Sequence, residues 1–129
     1  MDYVEKLIVD ALQQMAVKAQ QDGCSTTEWT RRVKQAIVDV GRKLCWLTAA
    51  NGCESDEGSE WLYDVVWYQL DQSKHMTDVP LVAESEWGQG DAAKADFEKL
   101  LVARAKYRVM VFESLGMPAV CAQMQQMHL

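Results

Sequence analysis

Apolar residues at Val4, Leu7, Ile8, Ala11, Leu12, Met15 and Ala19 recur at the i, i+3, i+4, i+7 spacing of one helix face, and the pattern stops at Asp22-Gly23. This predicts a first amphipathic helix. Ser25 followed three residues on by Glu28 is a capping-box signature, after which Trp29, Val33, Ala36, Ile37, Val40 and Leu44 keep the helical spacing of a second. From Cys45 the pattern shortens: 45–50 is rich in strand-compatible residues and is closed by Asn51-Gly52, a dipeptide suited to a tight turn. The acidic segment 53–58 lacks the D-x-D-x-[DN]-G order of a calcium loop and reads as a solvated loop. Two segments, 60–70 and 79–87, are dense in aromatic and β-branched residues and flank polar 71–78, predicting a hairpin. After Gly88 and Gly90, Phe97, Leu100, Leu101 and Arg104 mark one stripe of a helix over about 92–106, and 107–113 reads as a last strand. Met117, Val120, Cys121, Met124 and Met127 again fit helical spacing and predict a closing helix.

The predicted order is α-α-β-β-β-α-β-α, without a repeat. A helix joining two strands of one sheet favours a right-handed parallel crossover, so the last strand pairs parallel to a member of the meander. The expected fold is α/β, a mixed central sheet flanked by helices. At 129 residues and 14.6 kDa the chain has the size of one domain, 1–129, and with 49% hydrophobic residues and only 2 Pro it has the composition of a folded one. A net charge of -6 and a pI near 4.8 argue against a general nucleic-acid coat or a polybasic membrane binder. Cys24, Cys45, Cys53 and Cys121 form no CxxC pair and His75 and His128 lie far from them, so a zinc site is not expected. With no secretory leader pattern at Met1-Asp2-Tyr3-Val4 and no stretch apolar enough to span a bilayer, a cytoplasmic location without membrane contact is expected.

Candidate chemistry sits in the hairpin. Alternation over 60–70 puts Leu62, Asp64 and Val66 on one face and Trp61, Tyr63, Val65 and Trp67 on the other, both mostly apolar, so Asp64 is an acid where acids are costly. On the next strand Val82, Glu84 and Glu86 share a face. Cross-strand side chains approach to about 5 Å, close enough for two carboxylates to hold one cation. Oxygen donors without His or Cys suit Mg²⁺ or Mn²⁺, which polarise water and neutralise charge in phosphate-ester hydrolysis.

One acid in a strand, an acid-x-charged tripeptide (Glu84-Ser85-Glu86) in the next, then a helix and a further strand resemble the PD-(D/E)xK nuclease superfamily. The resemblance covers most of the chain and implies a restriction-endonuclease-like α-β-β-β-α-β core with an extra helix at each end. It implies Asp64 as first metal ligand, Glu84 as second and the Ser85 main-chain carbonyl as a third. The position of the family's lysine, which assists the attacking water, is occupied by Glu86, an additional ligand or base. Some members supply that lysine from the following helix, where Lys99 is the candidate and Lys94 a fallback. Lys99 lies about 200° from Phe97, so a helix resting Phe97 on the sheet turns Lys99 away. For the first-helix acid of the family, Glu28 and Asp39 are candidates.

The function so implied is metal-dependent hydrolysis of nucleic-acid phosphodiesters. Basic residues in 94–108 and at Arg31, Arg32, Lys34, Arg42 and Lys43 offer phosphate contacts, and Trp87 is a base-stacking candidate. The alternative is a catalytically degenerate member of the same fold, a protein-interaction module or a homodimer formed through its terminal helices.

Overall fold

The computed structural model describes residues 1–59, 61–86, 95, 98–100, 103–113 and 120–126. Two helices come first, α1 (Tyr3–Asp22) and α2 (Thr26–Lys43). Asp2 caps α1 in a reciprocal capping box with Glu5, and Gly23 ends it in the left-handed conformation at φ 64°. Ser25 accepts from the Glu28 N–H at the start of α2, but the Glu28 carboxylate turns to Arg31 and Arg32, so only half of the expected box forms.

Five strands follow: β1 (Leu47–Ala49), β2 (Val65–Leu70), β3 (Met76–Glu86), β4 (Tyr107–Glu113) and β5 (Val120–Gln126). They form one sheet in the order β1-β2-β3-β4-β5. β1, β2 and β3 are an antiparallel meander, β4 is parallel to β3 as the crossover argument requires, and β5 is antiparallel to β4. Ala95 and 98–100 are helical, on the connection where a helix over 92–106 is expected. Of its remaining residues, those up to 102 lie outside the described ones, as do Trp87, Gly88, Gly90, Lys94 and Phe97, and 103–106 are not helical, so the helix ends earlier than expected.

Three expectations are corrected. The closing helix is not there: 120–126 pairs with β4 residue by residue, Val109 opposite Met124 and Val111 opposite Ala122. Ala, Gln and Met favour helix locally, but the free edge of β4 offers a full ladder of backbone partners, and tertiary pairing overrides so weak a preference. A dimer built from two terminal helices therefore lacks its second helix. Next, β2 begins at Val65 rather than at 60; Trp61 and Tyr63 cross to the side of Val66 and Tyr68, with Trp61 4.7 Å from the Tyr68 ring. Finally, β3 starts at Met76, because the hairpin turn is confined to 71–75, where Asp71 accepts from the Ser73 and His75 N–H groups. Met76, Thr77 and Asp78 are exposed, so no apolar alternation announces them.

α1 and α2 cover one face of the sheet. Ile8, Leu12, Val33, Ile37 and Val38 pack there on Val65, Trp67, Leu81, Ala83, Val109 and Val111. The opposite face carries Val66, Tyr68, Val82 and Met110, closed over by Leu100, Ala105, Trp61 and Tyr63. Trp67 is fully buried and donates its indole N–H to the Ile37 carbonyl at 3.1 Å. Its ring lies so close to Gly41 that a Cβ there would come within 2.7 Å of Cδ1 and Cε2. The acidic loop is not merely solvated. Asp56 accepts from the buried Thr48 N–H and hydroxyl at 2.9 and 3.0 Å, and Ala49 bridges Glu57 in parallel, so the loop covers the outer edge of β1.

Candidate functional site

The β2–β3 register pairs Val65 with Ala83 and Val66 with Val82. One step further along that register, Asp64 falls opposite Glu84. Asp64 stands just before β2, half-buried, and its Oδ2 accepts from the Ser85 main-chain N–H at 2.8 Å and hydroxyl at 3.3 Å. A side-chain acceptor thus substitutes for the next ladder bond and fixes the carboxylate beside β3.

Glu84 lies on the face of Val82, away from α1 and α2, and is only 4% exposed. A carboxylate at that depth loses several kcal/mol of hydration unless a cation answers it. Lys99 does so: its Nζ is 2.8 Å from Glu84 Oε1. The same ammonium sits 5.0 Å from the Tyr63 ring centroid, and the Tyr63 hydroxyl donates to the Lys99 carbonyl at 3.4 Å. Tyr63 therefore braces Lys99 through both its ring and its hydroxyl. Beneath this group Arg108, 7% exposed, donates from Nη1 to the Leu100 carbonyl at 3.4 Å and ties the helical segment to β4.

The structure thus joins Asp64 to Ser85 and Lys99 to Glu84, at neighbouring positions of β3. Lys99 is expected to turn away only from a helix that rests Phe97 on the sheet, and Phe97 lies outside the described residues. Leu100 is buried in the core, and at 100° per residue its neighbour Lys99 flanks that buried stripe, from where a four-carbon stem passing over Tyr63 reaches the sheet. Glu86 is half-buried at the end of β3, beside Phe112 of β4. Among the described residues no cluster of three or more His, Cys, Asp or Glu side chains could hold a metal ion. Asp64 and Glu84 are hard oxygen donors, of the kind that suits Mg²⁺ or Mn²⁺ ions retaining several waters and completing their shell with substrate phosphate.

Glu28 and Asp39 belong to α2, the helix on the far face of the sheet. The Arg31 and Arg32 guanidiniums beside Glu28 hold its carboxyl down at about 2, and Asp39 accepts from the Gln35 amide. The basic residues of α2 are engaged as well: Arg32 pairs with Asp22 and Glu28, Lys34 donates to the Asn51 carbonyl and Arg42 to the Glu54 carbonyl. Lys94 and Trp87 lie outside the described residues.

Sequence reasoning missed Tyr63 and the burial of Arg108. Arg108 carries the signal that marked Asp64, a charge inside the apolar run Tyr107-Arg-Val-Met-Val-Phe. Tyr63 carries none, since its role follows from the chain leaving the strand before Val65.

The fold and site define an α/β protein with a mixed five-stranded sheet and a buried carboxylate–lysine pair on the face opposite its two long helices. No protein-family model, no curated protein and no solved structure matches the chain. No helix among the described residues is long and apolar enough to cross a membrane.

Proposed function

We propose that this domain is a metal-dependent phosphodiesterase of the PD-(D/E)xK type that hydrolyses nucleic acid. The observation that carries the reading is the 2.8 Å approach of Lys99 to Glu84, next to the Ser85 that holds Asp64, although position 86 holds Glu. Mg²⁺ or Mn²⁺ held by Asp64 and Glu84, with the Ser85 carbonyl as a third ligand, would supply charge neutralisation and an activated water. Ser85 orients Asp64, and the partly buried Lys99 ammonium hands hydrogen bonds from Glu84 to a phosphoryl oxygen or to the attacking water. Tyr63 keeps Lys99 from swinging into solvent. Glu86, on the face of Glu84, serves as a further ligand or as the base.

The test is cleavage of single- and double-stranded DNA and RNA with Mg²⁺ or Mn²⁺ by the wild type and by Asp64→Asn, Glu84→Gln and Lys99→Met. Cleavage lost in all three, with melting temperatures showing each to be folded, supports the reading; wild type that cuts nothing, or equal cutting by all four, overturns it. A second reading, a degenerate domain of the same fold acting through protein contacts, is favoured by Glu86 standing where the family's lysine is expected, with Lys99 then a permanent counter-ion. Under it, Mg²⁺ leaves the melting temperature of wild type and Glu84→Gln equally unchanged.

A further inference from the structure

On the face that carries Glu84, a cavity of about 430 Å³ opens between the first half of β3 and residues 103–105. Its floor is apolar, made by Val79, Val82 and Ala105, and its rim carries the exposed Asp78 and Arg104. Tyr63 is common to the cavity and to the candidate site: it lines the one, and its ring bears Lys99 of the other. Val82 and Glu84 are two residues apart on one strand face, so their Cα atoms are about 7 Å apart.

Those features narrow the occupant. An apolar floor offers a phosphate no partner but buries a flat heteroaromatic ring well, and bases are held by such aromatic and guanidinium surfaces. Asp78 is an acceptor for the N–H groups on a base edge, and Arg104 is a cation for the attached phosphate. The volume is that of a small-ligand site, and the Val82–Glu84 spacing is of the order of the base-to-phosphate span in one nucleotide.

We infer that this cavity binds the nucleobase of the nucleotide next to the scissile phosphate, with preference for bases bearing an exocyclic amino group, which Asp78 accepts. The inference rests on the phosphodiesterase reading, but its test does not require turnover. The full chain, without metal, is titrated with adenosine 5′-monophosphate, uridine 5′-monophosphate and ribose 5-phosphate, and amide shifts are followed by NMR. Saturable shifts are expected at Tyr63, Val82, Ala103 and Ala105 with the adenosine nucleotide, weaker ones with the uridine nucleotide and none there with ribose 5-phosphate. Ala103→Trp, which fills the cavity, abolishes them, and the exposed Arg104→Glu, which leaves the core untouched, weakens binding about tenfold, the loss of one charge-assisted contact. Absence of shifts at these residues at millimolar nucleotide, or equal shifts with ribose 5-phosphate, overturns the inference. Failure of the phosphodiesterase reading registers separately, as cleavage indifferent to Glu84→Gln whatever the nucleotide titration shows.

Discussion

Replacing Gly41 by Ala sets local helix preference against tertiary packing, and the two predict opposite signs. Gly41 lies inside α2, where Ala is favoured over Gly by about 1 kcal/mol. Yet the added Cβ would overlap the fully buried Trp67 indole, whose Cδ1 and Cε2 would stand 2.7 Å away. Two escapes exist. α2 can retreat from the sheet, loosening its contacts with Val65 and Leu81 at an overpacking cost of about 1–3 kcal/mol. Alternatively, the indole can rotate and forfeit its hydrogen bond to the Ile37 carbonyl, leaving the buried indole N–H unanswered at about 1–3 kcal/mol while the carbonyl keeps its partner within α2. Set against the helix gain, the net loss is about 1 kcal/mol, which for a domain of this size lowers Tm by about 3–5 °C. Thermal and urea melts of Gly41→Ala measure it, and the same change in a Trp67→Phe background should be neutral or stabilising, since the smaller ring vacates the Cβ position. A Gly41→Ala protein more stable than wild type, or an equal loss in both backgrounds, would refute the packing argument.

Three further outcomes are expected. Asp56→Ala strands the buried Thr48 N–H and hydroxyl and should cost about 1–3 kcal/mol in urea denaturation, whereas Asp56→Asn, which keeps an acceptor, restores most of it; an unchanged midpoint for the Ala variant contradicts the edge-covering role. Folding lowers the Glu28 carboxyl from its ordinary 4.5 to about 2, so the stability it contributes is complete above pH 4.5 and lost as pH falls toward 2; Glu28→Gln should flatten the stability–pH slope across that window, and an unchanged slope would show the pairs with Arg31 and Arg32 absent in solution. Lys99→Met and Glu84→Gln should be non-additive by about 0.5–3 kcal/mol in a double-mutant cycle of urea melts, and strict additivity would mean the two side chains do not meet.

Residue order alone determined the parts of this protein that depend on neighbours in sequence. α1 and α2 are written in a 3.6-residue apolar period bounded by Asp2, Gly23 and Ser25, and all these signals act within a turn or two of the helix they shape. The parallel placement of β4 against a member of the meander followed from the handedness of crossovers, and the face shared by Val82 and Glu84 from the two-residue strand period. Only the tertiary structure decided the rest. The run Val120–Gln126 has an apolar spacing compatible with a helix, and it is a strand because β4 presents an edge to it, a partner far outside its own window. The direction of Lys99 could not be had from a helical wheel anchored on Phe97, because what turns it toward Glu84 is how the segment lies over Leu100, Tyr63 and the sheet. Arg108 and Thr48 are polar residues that the sheet buries, and Gly41 reads as a weak point in a helix until Trp67 is placed against it. Periodicity is fixed by bonds along the chain, whereas partners are fixed by which surfaces remain open once the first elements have packed.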